Sequence, residues 1–210
     1  ATSRPPEPTE PAEGDATTAP DVLPPVEDYE TALHQFDITG EGPATYVASG
    51  VVPGHLLNQF SMSEHEGRLR VATTEGAPWS ATEDSASRVA VLESQGDALV
   101  EVGAVEDLGV TEQIYAVRFV GDTGYVVTFR QTDPLFVLDL ADPTAPTLAG
   151  ELEIPGYSSY LHPLDEGHLL GIGQDADAQG VTRGLQVSVF DVTDPAAPTR
   201  VDQLVLPGSY

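Results

Sequence analysis

The chain has 210 residues, of which 34 are acidic and eight are basic, so that its formal net charge is −26. A surface this negative repels nucleic acid and anionic lipid, and we expect no nucleic-acid partner. The sequence lacks cysteine and has no run of about 18 apolar residues, which excludes a disulfide framework and predicts no membrane span. Its 20 Gly and 18 Pro residues favour short strands joined by turns over long helices.

The first 28 residues differ in composition from the rest. Segments such as 5–11 and 20–25 are rich in Pro, Thr and acidic residues and show no apolar periodicity. Chains of this kind bury too little apolar surface to offset the entropy of ordering, so residues 1–28 are predicted to be disordered or extended. From residue 29 to residue 210, short apolar runs alternate with turn residues, and this pattern predicts strands.

A repeated hairpin sequence follows. Residues 136–157 and 189–210 share an Asp, an Asp-Pro pair, a Pro-Thr pair and a Pro-Gly pair, each at an offset of 52. An earlier copy occupies 34–55, and a degenerate copy occupies 88–109. The run Asp-Pro-x-x-Pro is turn sequence, because Asp accepts local backbone hydrogen bonds and Pro fixes φ. Each copy therefore predicts two strands joined by a turn.

A second kind of hairpin precedes three of these copies. Residues 58–74, 115–131 and 158–174 each contain two apolar runs. Tight turns are expected between the runs, at Glu66-Gly67, at Thr123-Gly124 and at Glu166-Gly167. Front and back hairpins together supply four antiparallel strands in each unit of about 50 residues, which is typical of a β-propeller blade. The predicted fold is all-β, a partial β-propeller of about 3.5 four-stranded blades.

The repeat divides residues 29–210 into a half blade and three blades. We expect the half blade at 31–55 and the blades at 56–110, 111–157 and 158–210. Closed propellers have about four to eight blades, and the open edge strands of a shorter array invite pairing with another chain. We therefore expect a piece of a longer propeller or, as the alternative, self-association through the open blade edges.

Four runs also resemble a known family. They are 31–38, 54–62, 69–74 and the Phe-Asp-Val-Thr-Asp-Pro run at 190–195. In these the sequence is similar to the bacterial and archaeal "beta-propeller domain" family, described as secreted proteins with a C-terminal propeller distantly related to WD40 repeats. The resemblance covers 31–210 and implies a secreted or cell-surface protein. It implies no activity.

One acidic loop suggests a metal site. Asp175 and Asp177 lie in a D-x-D-x-Q-G run, where carboxylates on one side of a turn would offer Ca²⁺ the oxygen ligands it requires. The third ligand position holds Gln179, the closing position holds Gln186, and Arg183 lies nearby. These departures favour a solvated acidic loop, and Ca²⁺ at Asp175 and Asp177 stands as the one cofactor hypothesis.

Other residues have structural and functional interpretations. Asp37, Asp139 and Asp191 end equivalent predicted strands and are expected to accept backbone N–H bonds at the corner. His162 lies on a predicted innermost strand, where it is either buried and hydrogen-bonded or faces the central channel. Trp79, the single Trp, is expected to pack back on its blade, the alternative being a partner anchor in an exposed loop.

Motifs for catalysis are missing from the sequence. It contains no nucleophile elbow, P-loop or H-E-x-x-H run. We expect a non-catalytic extracytoplasmic interaction or scaffold module whose loop face binds protein or glycan. The alternative is a propeller-type hydrolase or lyase with carboxylates or His162 at the central channel.

Overall fold

The computed structural model describes residues 29–79, 81–83, 85–129, 133–177 and 181–208. The predicted disordered segment 1–28 lies outside this part of the chain. The described residues form strands and one 3₁₀ turn, Gln59–Ser61, and contain no helix that could cross a membrane. The strands are β1 Glu30–Asp37, β2 Thr45–Pro53, β3 Met62–His65, β4 Arg68–Glu75, β5 Ala86–Gln95, β6 Ala98–Leu108, β7 Gln113–Val120, β8 Thr123–Phe129, β9 Asp133–Asp139, β10 Thr147–Ile154, β11 Tyr157–Pro163, β12 His168–Ala176, β13 Thr182–Asp191 and β14 Thr199–Pro207.

The strands pair in chain order into four-stranded antiparallel units, and the predicted all-β partial propeller is confirmed. The second blade has the order β7-β8-β9-β10 and the third has the order β11-β12-β13-β14. The first blade, β3 to β6, shares a sheet with the half blade β1–β2, because Ser49 on β2 forms a parallel bridge with Ala98 on β6. The lowest-numbered strand of each full blade lies at one edge of its sheet.

The front hairpins turn where glycine permits it, with one difference from the predicted positions. Glu66-Gly67 joins β3 to β4, and Glu166-Gly167 lies in the turn before β12. The turn predicted at Thr123-Gly124 is wrong, because both residues belong to β8 and Thr123 pairs with Val120. The chain reverses instead at Gly121-Asp122, where Gly121 has a φ of 51°. A left-handed φ at little steric cost is what glycine supplies to a two-residue hairpin turn.

In the described part of the chain, three apolar cores lie between successive units. They form because successive side chains of a strand point to opposite faces. In β8, Val126 packs toward the first blade and its neighbour Val127 packs toward the third. Each blade therefore contributes one face to each neighbour. The half blade joins the array in the same way, since Leu33 and Val52 pack with Val71 of the first blade.

A close backbone contact accompanies two of these interfaces. Gly103 on β6 lies against the carbonyl of Pro143, and Gly150 on β10 lies against the carbonyl of Pro195. Both prolines belong to the Asp-Pro-x-x-Pro turn of the following blade. The ideal Cβ position at Gly103 is 2.5 Å from that carbonyl oxygen, so a side chain does not fit there. The repeated turn is therefore an inter-blade contact as well as a strand connection.

Candidate functional site

Residues from three blades meet at the inner strands. The 3₁₀ turn of the first blade and the strand β11 both pack against β7, which places Arg118 between Phe60 and Tyr160. The Arg118 Cζ atom is 4.1 Å from the centroid of the Phe60 ring and 5.3 Å from that of the Tyr160 ring. The two rings meet edge to face at 5.9 Å. A cation held against aromatic faces in this way is stabilised by the ring quadrupoles.

Local hydrogen bonds fix the members of this group. The side chain of Asn58 caps the 3₁₀ turn, because its Oδ1 accepts from the N–H of Phe60 at 2.9 Å. Arg118 donates from Nε to the carbonyl of Leu161 on β11 at 2.9 Å. The orientation of the guanidinium is thus set by a neighbouring blade rather than by its own strand.

Tyr160 and His162 complete the group, which we call the inner-strand cluster: Phe60, Arg118, Tyr160 and His162. Their rings stack at 6.2 Å, and the Tyr160 hydroxyl is 3.2 Å from His162 Nδ1. His162 lies on β11, an edge strand of its sheet that packs against the edge strand β7 of the second blade, as expected of an innermost strand. The expectation that it is buried is wrong, because its side chain is exposed.

The charge of Arg118 is uncompensated among its described neighbours. Arg68, Arg88 and Arg183 each form an ion pair with a carboxylate. Within the described parts of the chain, the hydrogen-bond partner of Arg118 is the Leu161 carbonyl alone. Its Nη1 and Nη2 atoms are not among the buried polar atoms without a partner. The terminal nitrogens therefore keep some solvent-accessible surface.

A second surface is the outward face of the third blade. Core residues of the second blade, Leu135, Val137 and Ile154, correspond at the repeat offset of 52 to Val187, Val189 and Leu206. On the third blade Leu204 is 57% exposed and Leu206 is 46% exposed. The set is continuous across the strands, because Val187 lies opposite Ile172 on one side and Leu204 on the other. We call this surface the open face: Leu170, Ile172, Leu185, Val187, Val189, Leu204 and Leu206.

Comparison of the sequence with known protein families agrees with this geometry. The model of the beta propeller domain family matches residues 19–210. The chain belongs to that family. The resemblance seen in four sequence runs is thereby confirmed, and the blades described above are propeller blades.

Two archaeal proteins are similar over much of the chain. An uncharacterized protein of Methanocaldococcus jannaschii is 46% identical over 187 residues, which is 85% of this chain and 29% of that protein. An uncharacterized protein of Archaeoglobus fulgidus is 45% identical over 155 residues, which is 74% of this chain and 22% of that protein. The chain thus spans less than a third of the length of either relative.

The two calcium candidates have different partners in the propeller. Asp175 lies on β12, and its Oδ1 is 3.4 Å from Nε2 of Gln203. Asp177 accepts from the N–H of Val181 and forms an ion pair with Arg183 at 3.0 Å. The described residues contain no group of three or more His, Cys, Asp or Glu placed to hold a metal. Gln179 lies outside them, and Ca²⁺ at this loop stays a prediction.

The repeated aspartates act as predicted. Asp37 accepts from the N–H and hydroxyl of Thr39, and Asp191 accepts in the same way from Thr193. Asp139 accepts from the N–H of Ala141 at 3.0 Å. Backbone and hydroxyl hydrogen bonds from Thr39 lower the pKa of Asp37. The hydroxyl and backbone hydrogen bonds of Thr193 lower the pKa of Asp191, because they favour the charged form.

Trp79 does not pack back on its blade. Its side chain is 74% exposed, and its ring meets Tyr29 edge-on at 6.0 Å. Tyr29 directly precedes the half blade, so the two aromatic residues join the loop after β4 to the start of β1. An exposed indole in a loop is the arrangement expected of a partner anchor, the alternative interpretation from the sequence.

An acidic cleft separates the outer strands of the first and second blades. It has a volume of about 420 Å³ and is lined by Glu106, Asp107, Glu112, Glu151 and Glu153. Among these carboxylates, Glu106 pairs with Arg88, and Glu112 accepts from the Thr128 hydroxyl. The cleft shows where part of the net negative charge of the chain is concentrated.

Proposed function

We propose that the chain is a non-catalytic interaction module of an extracytoplasmic protein, and that its open face packs against another propeller blade. The observation that supports this is the exposure of Leu204 and Leu206 at repeat positions that are core in the second blade. Contiguous exposed apolar surface of this kind is typical of interaction sites. The expected partner is a sheet face of the same repeat, and a second copy of the chain offers one.

The chemistry of the open face fits a sheet partner better than a polar ligand. Its central pairs are aliphatic, Ile172 with Val187 and Val187 with Leu204. The opposite face of the third blade already packs on the second blade through Leu169 and Phe190. Both faces of the third blade are therefore apolar, which favours a further blade packed on its open face in the way that the second blade packs on the other.

Light scattering over a range of concentrations tests this proposal. We expect a mass that rises with concentration, and the double variant Leu204→Gln/Leu206→Gln should weaken association about 10- to 100-fold, since apolar burial is lost. Val205→Gln is the matched control, because Val205 lies on the same strand opposite Gln186 and points to the other face. A monomer at every concentration, or an equal effect of the control, would contradict the proposal.

Two further parts of the proposal rest on other support. The extracytoplasmic location is proposed on the family resemblance alone, and protease accessibility of the full-length protein on intact cells would test it. Binding of a protein or glycan through the loop face is supported by the exposed Trp79 and its contact with Tyr29. Indole fluorescence during titration with partner candidates would report on that surface separately from the open face.

A further inference from the structure

The inner-strand cluster has the features of an anion-binding site in a protein that otherwise repels anions. Arg118 has no hydrogen-bond partner for Nη1 and Nη2 among the described residues, and both atoms keep some accessible surface, while its Nε is held by the Leu161 carbonyl. A guanidinium with two free terminal nitrogens offers a planar fork that matches a carboxylate bidentately. We propose that this cluster binds a carboxylate carried on a six-membered ring.

The restrained position of the Arg118 side chain supports its role in binding the carboxylate. Its guanidinium is held from the strand β11 and lies 4.1 Å from the centroid of the Phe60 ring. Restraint of this kind removes much of the entropy loss that a free arginine side chain undergoes on binding a ligand. The three residues involved come from three different blades, so the site exists only when the blades are assembled.

The charge of the protein selects the kind of anion. The formal net charge of −26 raises the cost of bringing any anion near, and the cost grows with the charge of the anion. Arg118 supplies one positive charge, and the described residues provide no carboxylate to it by ion pair or hydrogen bond. A singly charged carboxylate therefore fits this site better than a phosphate dianion.

The flanking side chains indicate a ring next to the carboxylate. Tyr160 is 36% exposed, and His162 beside it is exposed as well. The Tyr160 ring edge offers apolar contact, while the exposed side of the imidazole offers a hydrogen bond to a ring substituent. Both sugar acids and aromatic acids present a carboxylate on a six-membered ring, so the shared group is specified and the source is left to the test.

Titration of the full ¹⁵N-labelled chain by NMR tests the proposal, with glucuronate and benzoate as probes. We expect saturable shifts of the Arg118 Nε–H signal and of the Tyr160 and His162 amides, with a dissociation constant of about 1 to 10 mM. Glucose and benzamide, which lack the charge, should leave these signals in place. The probe that binds more tightly identifies the source as a sugar acid or an aromatic acid.

Variants separate a specific site from general charge effects. Arg118→Lys keeps the charge but loses the fork, and it should weaken binding at least about 10-fold. Arg68→Lys, at an arginine already paired with Glu93, is the matched control and should bind as the parent chain does. Tyr160→Phe provides a milder variant if Arg118→Lys fails to fold. It should weaken binding about 2- to 5-fold, because the His162 imidazole loses the hydroxyl that holds it.

Three results would overturn the proposal. The first is the absence of saturable shifts with either carboxylate. The second is equal affinity in the parent chain and in a folded Arg118→Lys variant, or in Tyr160→Phe if the lysine variant does not fold. The third is inorganic phosphate binding as tightly as glucuronate and benzoate, which would mean that the cluster does not select a carboxylate.

Discussion

Arg88 on β5 donates to Glu101 on the adjacent strand β6, with 2.9 Å between Nη2 of the arginine and Oε1 of the glutamate. The arginine side chain is 7% exposed, and the same nitrogen also reaches Glu106 at 3.0 Å. Arg88→Met should lower the free energy of unfolding by about 1–3 kcal/mol, because two carboxylates lose the cation that compensates them. Chemical denaturation would measure the change.

The control for this variant is another arginine in the same blade. Arg68 pairs with Glu93 at 3.4 Å, and both side chains are more than a third exposed, at 34% and 41%. Exposed pairs contribute little, so Arg68→Met should change the free energy of unfolding by less than about 0.5 kcal/mol. Equal losses in the two variants would show that burial of Arg88 has no energetic consequence.

The contact between Gly150 and the Pro195 carbonyl leads to a second prediction. A Cβ at Gly150 would overlap with backbone atoms of the following blade, which cannot move aside as a flexible side chain can. Gly150→Ala should therefore destabilise the chain by about 2–4 kcal/mol. Thermal unfolding would detect this as a lower midpoint.

Gly42 offers the matched control for that substitution. It lies in the loop between β1 and β2, and nothing stands within 4 Å of its ideal Cβ position. Gly42→Ala should leave stability within about 0.5 kcal/mol of the parent chain. If Gly150→Ala is as stable as Gly42→Ala, the blades have room to separate and the close contact is not required.

A third prediction concerns pH. His168 Nδ1 is 2.9 Å from Asp165 Oδ1, and this hydrogen bond raises the pKa of His168 above its usual value. Since the folded-state pKa is raised, the stabilisation is present below the unfolded pKa of about 6.5 and is lost as pH rises through the folded value. NMR titration of the imidazole would follow it.

Two aspartate variants distinguish the cause of this shift. Asp165→Asn removes the nearby charge and leaves only a neutral acceptor in place of the charge-assisted hydrogen bond, whereas Asp191 acts on His168 through its charge alone. The pKa of His168 should fall further in Asp165→Asn than in Asp191→Asn. The reverse order would assign the raised pKa to Asp191 and contradict the geometry.

The strands and the turn chemistry were predictable because they depend on local sequence. A strand with apolar residues on both faces packs one face against each neighbouring blade. An Asp at a strand end accepts a hydrogen bond from a nearby backbone N–H, as Asp37 does from Thr39. The turn at Gly121-Asp122 was missed because this stretch contains two Gly residues, Gly121 and Gly124, either of which could lie in a turn. The periodicity alone does not say which of them reverses the chain.

The inner-strand cluster was not predictable in the same way. Phe60 and Tyr160 both hold the third position of their front-hairpin copies, 58–74 and 158–174, which is a signal that could have been read. That Arg118 lies between their rings depends on how far each blade is rotated against the next. A single sequence contains the residues of such a contact but not the inter-blade angle that brings them together.

The close glycine contacts distinguish the faces of successive blades from one another. At the repeat position of Gly150, the third blade has Asp202, whose side chain is exposed and accepts from the N–H of Gln203. A neighbour that placed its proline turn there, as the second and third blades do, would meet a side chain and a negative charge. Blades are therefore not interchangeable in this protein. The first two faces hold the turn of the following blade directly against a glycine, and a blade that packed on the open face would hold its turn farther from the strand.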